Sequence, residues 1–179
     1  MPRVALFLID GFEETEAVTT VDLLRRGGVT VETVALADDR LVTGGHGIAL
    51  QADQLFKNSA PESFDMLVIP GGTIAYLDHP PFMEAIAAAA RRGQKIAAIC
   101  AAPAVLGALG LLKGRAAACY PGFEERLAGA VIVKDRAVTD GNFTTSRGPA
   151  TAPYFALEIL KILKGADVSQ KIQKDILLA

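Results

Sequence analysis

Val4-Ala5-Leu6-Phe7-Leu8-Ile9-Asp10-Gly11-Phe12-Glu13-Glu14-Thr15-Glu16-Ala17 is the stretch whose reading decides the fold. Its first six residues are apolar without interruption. That is the pattern of a strand covered on both faces, as in a parallel sheet. From Glu14 the period changes: Ala17, Val18, Val21 and Leu24 recur at helical spacing to about Arg26. Acidic residues crowd the start of this helix, two arginines close it, and Gly27-Gly28 stops it, all as the helix dipole and C-cap preferences require. A doubly covered strand feeding a helix is the first half of a βα unit.

The rest of the chain repeats the unit. Residues 29–36 read as a second strand, and Thr43-Gly44-Gly45-His46-Gly47 as the turn of a small hairpin insert. Met66–Ile69 is a third buried strand, followed by Pro70-Gly71-Gly72. Residues 81–92 are an alanine-rich helix ended by Gly93. Lys95–Ile99 is a fourth strand and 103–112 a helix. Residues 115–119 and 130–133 are short strand candidates, and 137–139 with 143–144 a late hairpin. Residues 151–163 and 167–178 form two amphipathic helices. The alternation predicts one α/β domain over 1–179 with a flavodoxin-like, open, mostly parallel sheet and helices on both faces. In that order the first and third strands are neighbours. Ligands bind beyond the carboxyl ends of such strands, which brings 10–16, 70–73 and 100–103 together.

Composition narrows the function. The chain has 179 residues, 51% hydrophobic, with a formal charge of −2 and both signs interspersed. That argues against a nucleic-acid partner, which selects a basic stripe. No run of ~18 apolar residues suggests a membrane span. The first apolar run is too short for a signal peptide and lacks a cleavage pattern, so a cytoplasmic, reducing setting is expected. Two cysteines without CxxC spacing give no dithiol or zinc motif. His46 and His79 read as loop residues without metal-ligand company, and no metal or cofactor is expected.

The chemistry centres on Cys100, which ends the fourth strand and opens Cys100-Ala101-Ala102-Pro103. At a strand-to-helix junction the helix dipole favours a thiolate, the form that attacks and oxidises. Gly71 and Gly72 allow close backbone approach, and their N–H groups with that of Ala101 can hold an oxyanion. Of Glu13, Glu14 and Glu16, at most one points into the site, because successive helical side chains diverge. A carboxylate beside Cys100 repels a thiolate, whereas a protonated carboxyl donates to it, and burial favours the protonated form. Glu13 and Glu14 read as charges favoured at a helix start, and Cys119 as packing in a strand.

Four motifs in order, Leu8–Ala17, Val68-Ile69-Pro70-Gly71-Gly72, Ala97–Pro103 and Thr145-Ser146-Arg147-Gly148-Pro149, resemble the ThiJ/PfpI superfamily. The subgroup is that of the human parkinsonism-associated deglycase and bacterial YajL. The resemblance implies a flavodoxin-like homodimer with a strained reactive cysteine at Cys100 and a protonated glutamate at Glu16. It implies oxyanion donors at Gly71, Gly72 and Ala101. Protease-like relatives carry His after the cysteine; Ala101 stands there, which disfavours a Cys-His protease. The subgroup often has a relay His before a Pro, where this chain has Tyr120-Pro121. A phenol is a poor base at neutral pH but a usable hydrogen-bond donor. The hairpin arginine of the subgroup is replaced by Gly44-Gly45-His46, leaving Arg147 as an anion contact.

Two functions follow as expectations. One is a cysteine-dependent stress-response enzyme of glyoxalase or deglycase type, acting on small dicarbonyls or on the damaged proteins they modify. The other is a redox sensor or chaperone whose Cys100 oxidises to sulfinic acid.

Overall fold

The computed structural model describes residues 1–178. The main βα progression runs β1 (Arg3–Leu8), α1 (Glu14–Arg26) and β2 (Thr30–Ala35). A hairpin of β3 (Leu41–Thr43) and β4 (Ala49–Gln51) follows, then the two-residue β5 (Gln54–Leu55) and β6 (Met66–Ile69). Next come α2 (Pro80–Arg91), β7 (Lys95–Ile99) and α3 (Pro103–Ala108). The short β8 (Ala116–Ala117) and β9 (Val131–Ile132) lead to β10 (Ala137–Asp140) and β11 (Phe143–Ser146). Helices α4 (Ala152–Lys164) and α5 (Ala166–Asp175) complete the order.

Seven strands form one sheet in the order β10-β11-β7-β6-β1-β2-β5. All neighbours are parallel except β10 and β11, so the sheet is the expected flavodoxin-like, mostly parallel one. Strand β1 lies between β2 and β6, with Val4 opposite both Val31 and Met66.

The period-two alternation of the strands sorts the apolar side chains into two cores. On one face Val4, Leu6, Leu8, Val68, Ala97 and Ile99 pack under α1, α4 and α5, with Leu24, Phe155 and Leu160 above them. On the other face Ala5, Phe7, Leu67, Ile96 and Ala98 pack under α2 and α3, against Phe82, Ile86, Val105 and Leu106. Both faces of β1 are therefore filled, which is why its sequence is apolar throughout.

Several boundaries differ from expectation, each for a local reason. Helix α2 begins at Pro80, because His79 Nδ1 accepts the Phe82 N–H (3.1 Å) and caps it. Helix α3 stops at Ala108 rather than continuing to 112: the chain turns through Gly110, whose φ is +69°. The candidates at 115–119 and 130–133 shrink to a separate two-residue parallel pair, β8 with β9, outside the main sheet. Strand β5 carries too few residues for a periodicity signal and has no counterpart in the sequence reading. The hairpins at β3–β4 and β10–β11 form as expected.

Phe155 is fully buried where α4 meets α1 and the sheet. Phe155→Ala is expected to lower unfolding stability by about 3–5 kcal/mol in urea titration.

Candidate active site

Three connections converge at the carboxyl ends of β1, β6 and β7. The alternation of β7 breaks at Cys100, where φ is +67°. This left-handed conformation costs an L-residue of order 1–2 kcal/mol. It also turns the sulfur toward the α1 side, so that Ile99, Cys100 and Ala101 all join the same core. Two hydrogen bonds hold the strained residue: its N–H donates to Ser146 O (3.0 Å), and its carbonyl accepts from Tyr120 N–H (2.9 Å). Cys100 keeps 8% of its surface exposed.

Glu16 comes from the first turn of α1 and is 0% exposed. Its Oε2 accepts the Gly71 N–H at 2.7 Å. Its Oε1 is buried and has no hydrogen-bond partner among the described residues, and the carboxyl and the Cys100 side chain both lie against Gly71. A buried acceptor without a donor favours a proton on that oxygen. Gly71 is what allows this contact. A Cβ there would lie 2.6 Å from Cys100 Cβ and 2.9 Å from Glu16 Oε2.

Burial raises the Glu16 pKa to about 7, with the Glu13 charge adding, while the Gly71 N–H and the Cys100 contact oppose it. Burial, then the Glu16 charge, push the Cys100 thiol up to about 12, and the N–H groups of Gly72 and Ala101 pull the other way. This corrects the expectation of a thiol lowered by the helix dipole. Helix α3 has six residues and starts only at Pro103, and the sulfur is desolvated beside an acid. The two groups titrate as one pair. The first proton leaves near 7, where Glu16 titrates; removing the second would put two negative charges in contact. Between those steps one proton is shared across oxygen and sulfur.

The other sequence-predicted residues fall into place unequally. Gly72 and Ala101 present their N–H groups to the sulfur. Gly71 does not join them, because its N–H is held by Glu16. Tyr120 is tied to Cys100 through its backbone; its ring, 46% exposed in the residue as a whole, rests near Gly148. Arg147 is half-buried, its N–H bonded to Thr151 Oγ1 (3.2 Å), and its charge acts on the Cys119 thiol. Cys119 itself belongs to the opposite core, and burial pushes its thiol up to about 11.

Two acids near the site do more than complement a dipole. Glu13 caps α1 by accepting the Thr15 N–H (3.3 Å), and its own N–H donates to Gly71 O (2.9 Å). Glu14 is buried and grips the hairpin turn, accepting from His46 N–H (2.7 Å) and Ile48 N–H (3.4 Å), with its Oε2 2.8 Å from His46 Nδ1. Burial alone would raise the Glu14 pKa; the hydrogen bonds from the His46 ring and from the backbone of Glu14, His46 and Ile48 outweigh it and bring it to about 2. His46 is therefore in carboxylate company, contrary to the sequence reading. A partner 32 residues away leaves no local signal in either residue.

A model of the DJ-1/PfpI family matches residues 2–162. The chain belongs to that family. Among curated relatives, Protein dj-1beta of Drosophila melanogaster is 34% identical, covering 100% of this chain and 99% of that protein. Deglycase PfpI of Pyrococcus furiosus is 31% identical over 90% of this chain and 99% of its own length. The chain spans less than half the length of two plant relatives, DJ-1 homologs A and B of Arabidopsis thaliana, covering 46% and 40% of them. Among solved structures, oxidized Toxoplasma gondii DJ-1 superposes with a TM-score of 0.95 at 32% identity, with 100% of both chains covered. A DJ-1 superfamily protein of Salmonella typhimurium does so at 0.93 and 35%, again over 100% of both chains.

The Glu16–Cys100 pair has a pH signature. Unfolded, Glu16 releases its proton near its ordinary 4.5; folded, it holds it to about 7. The folded state binds more protons in that window, so this contribution to stability is present below 4.5 and is lost as pH rises toward 7. Relative to Glu16→Gln, the wild type is expected to lose on the order of 3 kcal/mol of unfolding free energy across the window, measured by denaturant titration at stepped pH.

Proposed function

We propose that this protein is a cysteine-dependent stress-response enzyme acting on reactive dicarbonyls such as methylglyoxal, or on their early protein adducts. The observation that carries the reading is the strained Cys100 set against a buried, protonatable Glu16, with the N–H groups of Gly72 and Ala101 aimed at the sulfur. The sulfur adds to the aldehyde carbon and the carbonyl π electrons move to oxygen. The resulting oxyanion takes hydrogen bonds from Gly72 and Ala101 and a proton from Glu16. Glu16, then a carboxylate, is placed to accept the next proton. No histidine flanks the sulfur: Ala101 follows Cys100, and Tyr120 offers only a phenol. Turnover in this reading is slow. The deglycase names among relatives agree with the substrate class.

A second reading is favoured by the separation of the two cysteines. Cys100 and Cys119 are both free and lie in different cores. Two equivalents of hydrogen peroxide convert the Cys100 thiolate to a sulfinate and two waters, with no neighbouring thiol to intercept the sulfenic intermediate. A protonated Glu16 then donates to a sulfinate oxygen.

We further propose a homodimer. Val18 (47% exposed) on α1, with Leu41 (57%) and Ile48 (56%) on the hairpin, are large apolar side chains that a second copy would cover. A hollow of about 290 Å³ lined by Val18, Val21 and Leu50 lies between these elements. Sedimentation equilibrium is expected to give twice the chain mass, and Val18→Glu to give the monomer.

For the enzymatic reading, purified protein is expected to consume methylglyoxal, and Cys100→Ala to abolish that consumption. Tyr120→His is expected to raise turnover by up to about 100-fold by supplying a base. Consumption equal in wild type and Cys100→Ala would overturn the reading. Peroxide addition of two oxygens to Cys100 without methylglyoxal consumption would favour the sensor.

A further inference from the structure

Outside the Cys100 cradle, one more group of side chains converges. Glu13 and Glu14, at the start of α1, and His46, in the hairpin turn, each bring a donor atom to one point, all within 4.8 Å of one another. With Thr15, Ile48 and Pro149 they line a shallow hollow of about 350 Å³.

This is not a patch of surface acid. The Glu14 side chain is only 7% exposed and that of Glu13 13%. Glu14 is seated where Gly44 leaves room, since a Cβ on Gly44 would overlap the carboxyl. Its Oε1 takes the N–H groups of His46 and Ile48, and its Oε2 is turned to the imidazole, 2.8 Å from Nδ1. Glu13 is also held in place: its Oε1 takes the Thr15 N–H, and its own N–H donates to Gly71 O. Its Oε2 accepts no hydrogen bond among the described residues. That oxygen faces the same ring nitrogen at 3.6 Å, too far for a hydrogen bond. A mostly buried carboxylate oxygen without a donor is thus aimed at a nitrogen that another carboxylate already holds.

Those separations are the ones a metal ion sets. Bonds of about 2.1 Å from imidazole nitrogen and carboxylate oxygen put two ligands about 3.0 Å apart at right angles and about 3.4 Å apart at the tetrahedral angle. The separations from Nδ1, 2.8 Å and 3.6 Å, bracket that range. The charges fit as well. Glu14, with its pKa of about 2, is ionised throughout the neutral range. Two carboxylates outweigh the half positive charge of the α1 N-terminus, which alone repels a cation.

We infer that Glu13, Glu14 and His46 form a site for one divalent transition-metal ion of the zinc type, held by Oε2 of each glutamate and Nδ1 of the imidazole. The ring gives its Nδ1 proton to solvent and keeps one on Nε2, so the ion replaces the proton between Nδ1 and Glu14. One nitrogen with two oxygens suits Zn²⁺, Ni²⁺ or Cu²⁺, whereas Ca²⁺ and Mg²⁺ call for more oxygens than are gathered here. The remaining coordination positions are left to water. The ion clamps the hairpin turn to the start of α1. Cys100 is not a ligand, so the site stands apart from the thiol chemistry proposed above.

The test is calorimetric titration of ZnCl2 into protein freed of metal with a chelator. One equivalent per chain is expected to bind and to raise the thermal midpoint. His46→Gln and Glu13→Gln are each expected to weaken binding at least about ten-fold. Glutamine at 13 still offers an oxygen to the Thr15 N–H, and residue 46 is exposed, so both variants keep the fold. His79→Gln and Cys100→Ser are expected to bind as wild type does. Co²⁺ in place of Zn²⁺ is expected to show ligand-field bands and no thiolate charge-transfer band. No binding by wild type, undiminished binding by His46→Gln or Glu13→Gln, weakened binding by His79→Gln or Cys100→Ser, or a thiolate band would overturn the inference. Displacement of Zn²⁺ by excess Ca²⁺ would overturn the assignment to a transition metal. A protein that binds Zn²⁺ in this pattern but consumes no methylglyoxal leaves the site intact and counts only against the enzymatic reading.

Discussion

A buried carboxyl placed against a sulfur is the constraint around which this molecule is arranged. Glu16 is fully buried and has one backbone donor, Gly71, to hold it. The energy of that arrangement is unfavourable to two charges and favourable to one shared proton. Everything nearby follows from keeping the groups in contact. Residue 71 must be glycine, because a side chain there would push them apart. Cys100 must adopt a left-handed backbone, because the ordinary alternation of β7 would send its sulfur into the opposite core. Ser146 and Tyr120 hydrogen-bond the backbone of Cys100 on either side, so the strain is imposed by the sheet and not by the cysteine itself.

The fold was legible because β1 and β6 are buried on both faces, a condition that only a covered parallel sheet meets. The first-turn acids and last-turn arginines of α1 fixed that helix to the residue. Cys100, Gly72 and Ala101 could be named because each belongs to a motif contiguous in the chain. The misreadings share a different cause. Gly71 was grouped with Gly72 as a donor to an oxyanion, but which N–H points where depends on the fully buried carboxyl 55 residues away. The lowered thiol was argued from a helix start, whereas burial and the Glu16 charge push the thiol up, and both are tertiary. Glu14 and His46 each looked like surface residues, and only the closure of the hairpin onto α1 makes them partners.

Membership of the DJ-1/PfpI family accounts for the match over residues 2–162, and within it Tyr120 and His46 are each held through their backbone N–H groups. Tyr120 holds its place by a backbone hydrogen bond that any residue but proline could make, so the side chain there is free to vary without disturbing the elbow. His46 sits in a turn whose shape is set by Glu14 and Gly44, and the ring is the part left to solvent. At both positions the backbone is secured by something other than the side chain itself.

The placement of the two cysteines on opposite faces of the sheet has a kinetic consequence. An oxidised Cys100 has no second thiol in its own core to repair it, because Cys119 packs in the other. Any return to the thiol would be second order, dependent on a small thiol or another protein arriving from solution. The oxidised fraction would then record the balance between exposure to peroxide and the reducing capacity of the surroundings, and its persistence would lengthen as those reductants ran down.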